Sequence, residues 1–331
     1  MGVYIIAEAG VNHNGSVETA KKLCSAAKKA GADAVKFQTW VTEKLITTKV
    51  KQAKYQRENL GNDESQFEML KKLELSYEEF KEIKKFCDEI GIQFLSTADE
   101  IDSLNFLVDL GIPMIKVGSG EMGNIPYLRQ IGSKGVPVIM STGMSSLAEV
   151  EISIDALRQG GATEITLLHC TTNYPCPFNA VNLKAMDTLK NAFGLQVGYS
   201  DHTIGMEVPI AAVARGAVVI EKHFTLDRNM EGPDHKASME PVPFKEMVAA
   251  IRNIESAIGS GVKCATSAEK EIAQVVLKKI VAKRYIKKGQ KITEADICVK
   301  RNETGLPASA WDLVVGTEAR RDYEIDEPIE L

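Results

Sequence analysis

The chain has 331 residues, 44% of them hydrophobic and 26% charged, with a formal net charge of −5. That composition supplies apolar material for one large core plus a smaller module, and it excludes a disordered chain. The negative balance excludes a general attraction to nucleic acid or to an acidic membrane surface, so any anionic ligand must be held by a few local cations.

The first apolar run, 3–7, follows Met1 directly and is too short for a signal-peptide core or a bilayer span, so the expected compartment is the cytoplasm. Cysteines at 24, 87, 170, 176, 264 and 298 form no CxxC pair and are expected to be reduced thiols. Short β-branched runs predict strands over 4–7, 34–37, 93–95, 114–117, 138–140, 165–168, 196–199 and 218–220. Between and after them, amphipathic stretches predict helices over 17–30, 77–90, 101–110, 125–131, 147–159, 183–193, 208–215 and 243–258. This alternation predicts an α/β fold, a closed (β/α)8 or TIM barrel, with a doubly wound open sheet as the alternative.

Residues 41–76 are too long for an ordinary connection, and the helical rhythm of 64–73 marks them as part of a rim over the site. After Ile258 the pattern changes. The expected organisation is a barrel over 1–260, a linker with a helix over 261–279, and a β-rich module over 280–331 with short strands at 297–301, 313–316 and 320–324. A module that small is only marginally stable unless it docks against something else.

In such a barrel the chemistry sits at the carboxyl ends of the strands, and polar residues collect there. The strands end in Glu8; Lys36 and Gln38; Ser96 and Thr97; Lys116, Ser119 and Glu121; Ser141 and Thr142; His169; Asp201 and His202; and Glu221, Lys222 and His223. His202 and His223 close neighbouring strands, which lie roughly 5 Å apart when paired, so both imidazoles can reach one divalent ion. The alternative is that they hydrogen-bond within the rim. Water and substrate oxygens in the remaining positions would suit Mn²⁺ or Mg²⁺ better than a closed zinc site.

Lys36 and Lys116 stand in apolar strands, where an unpaired ammonium is costly, so an anion is expected to meet them. A ligand carrying phosphate and carboxylate would satisfy both lysines together with Thr97, Ser119 and Ser141; internal pairing with Glu8 or Glu121 is the competing resolution. His169 is as readily structural as functional. His13 and His235 fall in loops, the latter in a turn-rich segment with Asp234 that can fold over the mouth.

The strings Ile6-Ala-Glu-Ala-Gly-Val-Asn-His-Asn-Gly15, Val35-Lys-Phe-Gln-Thr39, Lys116-Val-Gly-Ser-Gly-Glu121, Ser141-Thr-Gly-Met144, Tyr199-Ser-Asp-His202, Glu221-Lys-His-Phe-Thr225 and Gly232-Pro-Asp234 together resemble the sialic acid synthase family. The likeness spans the whole chain. Ala282-Lys-Arg-Tyr-Ile-Lys-Lys-Gly289 and Val299-Lys-Arg301 resemble that family's C-terminal antifreeze-like (SAF) domain.

The resemblance implies an N-acetylneuraminate synthase-type transferase that condenses phosphoenolpyruvate with an open-chain N-acetylated mannose-type sugar. The sugar would be N-acetylmannosamine or 2,4-diacetamido-2,4,6-trideoxymannose, the product a nine-carbon 2-keto acid, and phosphate would leave by C–O cleavage. It implies a divalent metal, typically Mn²⁺ with Mg²⁺ or Co²⁺ as alternatives, held by His202 and His223. Lys36, Thr97, Lys116, Ser119, Ser141 and Ser200 would grip phosphoenolpyruvate, while Tyr174, Glu221 and Asp234 would contact the sugar. Glu8 and Glu121 are the expected proton-handling carboxylates. Arg301 would reach the partner's sugar site in a domain-swapped homodimer.

The chain departs from the family pattern at Ser96-Thr-Ala-Asp99, where Ser-Thr-Pro-Phe is frequent, at Thr172, where some relatives carry Asn, and at Asn302-Glu303, where Pro-Gly is frequent. Within the family, Asn62-Asp-Glu-Ser-Gln66 and Gly232-Pro-Asp-His-Lys-Ala-Ser238 look like enzymes making N-acetylneuraminate or N,N'-diacetyllegionaminate, and less like those making pseudaminate. Two rival readings use the same residues: a Schiff-base aldolase on Lys116 or Lys36, and a non-catalytic sugar-phosphate binder.

Overall fold

The computed structural model describes residues 2–60 and 64–331, in two units, Met1–Gly259 and Ser260–Leu331. Asn62 and Asp63, part of the string read above for substrate class, lie outside the described residues.

The first unit is a closed barrel of eight parallel strands in sequence order: β1 (Tyr4–Gly10), β2 (Ala34–Thr39), β3 (Gln93–Ala98), β4 (Ile115–Val117), β5 (Val138–Ser141), β6 (Ile165–His169), β7 (Gln196–Asp201) and β8 (Val219–His223). Local chemistry starts and stops its helices where the sequence reading placed them. Ser16 caps Val17–Ala30 by accepting from the Thr19 N–H, and Gly31 ends it in the left-handed conformation. Tyr77–Ile90 and Leu147–Gly160 begin in capping boxes, Ser76 with Glu79 and Ser146 with Glu149, each satisfying two otherwise orphaned donors.

Side chains alternate across each strand, so every second residue enters the barrel. Ile6, Ala34, Leu95, Ile139, Leu168 and Val219 form an apolar floor. The intervening residues, among them Ile5, Ala7, Val35, Phe94 and Ile220, pack outward in the main core under the helices. One step of two above the floor the inward residues become Glu8, Lys36, Thr97, Lys116, Ser141, Ser200 and Glu221, a polar layer on an apolar base. Strand register joins them: Glu8 pairs with Lys36 and with His223, Thr97 with Lys116, and Ser200 with Glu221.

The insertion after β2 carries three short helices, Thr42–Leu45, Lys54–Leu60 and Gln66–Leu73. Met69 and Leu73 pack with Val11 and Trp40, which pins the insertion to the barrel rim.

In the second unit the helix Ser267–Val276 precedes an antiparallel pair, β9 (Lys278–Ala282) with β10 (Ile297–Arg301). Its core gathers Ile280, Ile286, Ile292, Ile297, Val314, Tyr323 and Ile329. Buried Asp296 accepts from Thr293 and Arg284, and so holds the turn before β10. The expected strand over 313–316 is instead the end of a short helix, Trp311–Val314. Two consecutive valines carry β propensity, but Val314 faces the core from the helix, and packing overrides local preference.

Candidate active site

A cavity of about 180 Å³ opens above the polar layer. Eleven residues expected at the site line it together: Glu8, Lys36, Thr97, Lys116, Ser119, Ser141, Tyr174, Ser200, His202, Glu221 and His223. Gln38, Asp99, Cys170 and Thr172 also line it, with Gly118, Gly120 and Met144. The strand positions of the first four made them legible: each lies two residues beyond an inward side chain, at Lys36, Thr97, Leu168 and Cys170 respectively.

The two lysines do not stand alone. Lys36 Nζ lies 2.5 Å from Glu8 Oε2 and 3.7 Å from Glu221 Oε2, and donates to Thr97 Oγ1 at 2.8 Å. Lys116 Nζ donates to Ser141 Oγ at 2.8 Å and lies 3.4 Å from Glu221 Oε1, which also accepts from Ser200 Oγ at 3.1 Å. The internal pairing weighed above is therefore present, with Glu221 in the place considered for Glu121.

Pairing leaves the cavity cationic below neutral pH. Burial opposes ionisation of Glu221, but Lys116 and Lys36 outweigh it and hold the carboxyl well below its usual range. Burial pushes Glu8 up to about 7 despite Lys36, and burial together with Glu121 pushes Asp99 up to about 7. Below pH 7 those two acids are protonated and the two lysines face one carboxylate, which favours an anionic guest.

Three expected residues sit elsewhere. Glu121 does not line the cavity; its carboxylate accepts from the Asn124 side chain at 2.6 Å, so the proton-handling expectation shifts to Glu8. Arg301 lies exposed at the end of β10 in the second unit. Asp234 lines a second chamber of about 110 Å³ with Val11, Gln56, Met69, Leu70 and Leu73. Gln38, Tyr174 and His223 line both chambers, which makes them neighbours.

The ring centroids of His202 and His223 are 5.4 Å apart, with Tyr174 against both at 4.2 and 5.4 Å. His202 Nδ1 bonds the Thr171 carbonyl at 2.7 Å, so Nδ1 carries the proton and Nε2 keeps its lone pair. Buried His223 Nδ1 has no hydrogen-bond partner among the described residues. Burial disfavours the imidazolium at both residues, and for His223 the neighbouring His202 adds to the effect. Neutral, adjacent imidazoles with free lone pairs fit a divalent cation. No group of three or more His, Cys, Asp or Glu among the described residues is arranged to hold a metal ion.

Two of the other histidines bond within the fold. His169 Nε2 bonds the Val181 carbonyl at 2.8 Å, and His235 is buried between Thr225 and Asn14. A groove of about 810 Å³ between Val17–Ala30 and Pro241–Ile258 is larger than either chamber, but its charged groups, such as Lys22 and Lys245, are surface side chains. Among the described residues no helix is long and apolar enough to cross a membrane.

Residues 23–263 match the NeuB family and residues 279–331 the SAF domain. The chain is 49% identical to an N,N'-diacetyllegionaminic acid synthase of Campylobacter jejuni, covering 98% of each protein. It is 46% identical to an N,N'-diacetyllegionaminic acid synthase of Legionella pneumophila, covering 96% of this chain and 90% of that protein. Among solved structures, the N-acetylneuraminic acid synthetase of Leptospira borgpetersenii in complex with citrate superimposes with a TM-score of 0.72 at 32% identity, covering 83% of this chain and 91% of the other.

Proposed function

From its membership of the NeuB family, with a C-terminal SAF domain, we propose that this chain is a synthase joining phosphoenolpyruvate to an open-chain N-acetylated mannose-type sugar. The product is a nine-carbon 2-keto acid, and phosphate leaves by C–O cleavage. The observation that carries the reading is the pair of buried lysines beside two adjacent neutral histidines in one cavity. The two relatives at 49% and 46% identity favour 2,4-diacetamido-2,4,6-trideoxymannose over N-acetylmannosamine as the sugar.

Lys36, Lys116 and the hydroxyls of Thr97, Ser119, Ser141 and Ser200 bind the phosphate and carboxylate of phosphoenolpyruvate in the first chamber. Their charge matches the negative charge that builds on the leaving phosphate. Tyr174 and Asp234 orient the sugar in the second chamber, with its aldehyde carbon toward the enol. His202 and His223 would hold a divalent cation, Mn²⁺ in the first instance, which when bound would supply Lewis acidity to the sugar aldehyde. Glu8, poised near neutrality, takes the proton from water as that water adds to C2 of the enol-derived carbon. Glu221 keeps both ammonium groups in place between turnovers.

A second copy completes the enzyme. The helix Ser267–Val276 exposes Ile272, Val275 and Val276 on one side, at 58%, 53% and 40%, an apolar stripe suited to burial in a domain-swapped homodimer. In that arrangement Arg301 serves the partner's sugar chamber.

The test is incubation with phosphoenolpyruvate, Mn²⁺ and a panel of N-acetylated hexoses, reading product mass and free phosphate. The expected product is a nine-carbon keto acid formed only with both substrates. A borohydride-trapped pyruvate adduct, with activity surviving EDTA, would replace the reading with a Schiff-base aldolase.

A further inference from the structure

Apart from Asp234 itself, two motifs have no part in the chemistry above: Asn12-His13-Asn14 in the turn after β1, and the 231–238 segment. The structure brings them together. The Asn14 side chain donates to the Glu231 carbonyl at 2.8 Å, and its Oδ1 lies 3.2 Å from His235 Nε2. An amide oxygen only accepts, so His235 carries its proton on Nε2 and accepts at Nδ1 from Thr225 Oγ1, 2.6 Å away. Buried Asn12 donates to the Phe224 carbonyl and to Ser238 Oγ, both at 2.9 Å, and Ser238 Oγ donates to the Asp234 carbonyl at 2.7 Å. Asn59 from the insertion donates to the Pro233 carbonyl at 2.6 Å.

The fit admits no side chain at 232. A Cβ on Gly232 would stand 2.6 Å from the His235 ring and 2.8 Å from Asn14 Oδ1, at a φ of +155° that side chains rarely adopt. The Glu231 and Pro233 carbonyls are thus tied to neighbouring elements and the Asp234 carbonyl to Ser238, which Asn12 holds in turn, while Asp234 lines the second chamber.

We propose that His235, Asn12 and Ser238 are positioning residues for sugar selection: they latch the 231–238 loop to the turn after β1 and so fix where Asp234 meets the sugar. They touch neither chamber's guest. The latch rests on the reading of the second chamber as the sugar's, and the following experiment separates the two.

Steady-state kinetics are measured with 2,4-diacetamido-2,4,6-trideoxymannose and with N-acetylmannosamine, for wild type, Asp234→Asn, His235→Phe, Ser238→Ala and the double variants with Asp234→Asn. Each latch variant removes two hydrogen bonds, so the sugar KM should rise about tenfold while the phosphoenolpyruvate KM stays within about twofold. Added to Asp234→Asn, either latch change should do almost nothing more, because both act through the same carboxylate. Parallel rises in both KM values, multiplicative double variants, or an unchanged sugar KM would overturn the latch. An unchanged sugar KM in Asp234→Asn alone would instead overturn the sugar assignment. Ser238→Ala takes away only one oxygen, and with it the bonds to Asn12 and to the Asp234 carbonyl, and keeps the test available if His235→Phe does not fold.

Discussion

Replacing Lys116 with Met tests the cationic cradle on two independent scales. The substitution removes an ammonium that donates to Ser141 and lies 3.4 Å from Glu221. A hydrogen bond from a charged donor contributes about 1.5–3 kcal/mol, so the phosphoenolpyruvate KM should rise roughly ten- to hundredfold while the sugar KM changes little. Glu221 is then left with Lys36 at 3.7 Å and Ser200. Removing one partner of a buried pair costs about 3–5 kcal/mol, and because two contacts survive the lower end applies, a fall in Tm of roughly 6–12 °C for a unit of this size.

The pH dependence has a definite sign. Glu221 is held below its usual pKa in the folded protein, so its stabilising effect is present above the ordinary glutamate range and is lost as pH falls. The Tm gap between wild type and Lys116→Met should therefore be widest at neutral pH and shrink in acid. Phosphate-release kinetics and calorimetry at two pH values read both effects. An unchanged phosphoenolpyruvate KM together with an unchanged Tm would refute the cradle.

Three further outcomes follow from the site. Glu8 and Asp99 each titrate at about 7, so ionisation adds negative charge to the cavity as pH rises through neutrality; phosphoenolpyruvate KM should increase from pH 6 to 8, and Asp99→Asn should flatten the profile. A Cβ on Gly143 would stand 2.2 Å from Thr172 Oγ1, 2.8 Å from Ser119 Oγ and 2.9 Å from Cys170 Sγ, so Gly143→Ala should displace Ser119 and raise the phosphoenolpyruvate KM by about tenfold or more, read by the same assay. With phosphoenolpyruvate labelled by ¹⁸O at the bridging oxygen, C–O cleavage should carry the label into free phosphate, visible by mass spectrometry; label retained in the keto acid would contradict it.

Much of the site was legible because a barrel turns sequence period into geometry. Counting by twos along β1, β2, β4 and β8 takes an apolar floor residue to Glu8, Lys36, Lys116 and Glu221, and the strand-end histidines follow at the next step. What stayed hidden depends on distances across the barrel. Glu8 and Glu121 both stand at strand ends in the sequence and looked equivalent, yet one faces Lys36 within the same layer and the other turns to Asn124. Glu221 gave no sequence sign that it would serve both lysines, since that requires three strands to meet at one height. His235 looked like a loop histidine because its partners, Thr225 and Asn14, lie on different connections. The 313–316 run misled for a different reason: β propensity describes valines on a half-buried sheet, and here Val314 packs from a helix.

The central claim is that His202 and His223 share one cation beside the lysine cradle. Electron paramagnetic resonance of Mn²⁺ titrated into the protein addresses it directly, with pulsed measurement of nitrogen coupling. The account predicts one ion per chain coupled to two imidazole nitrogens, with one coupling lost in His223→Ala and the fold retained by circular dichroism. Bound Mn²⁺ without nitrogen coupling, or with the same coupling in His223→Ala, would contradict it.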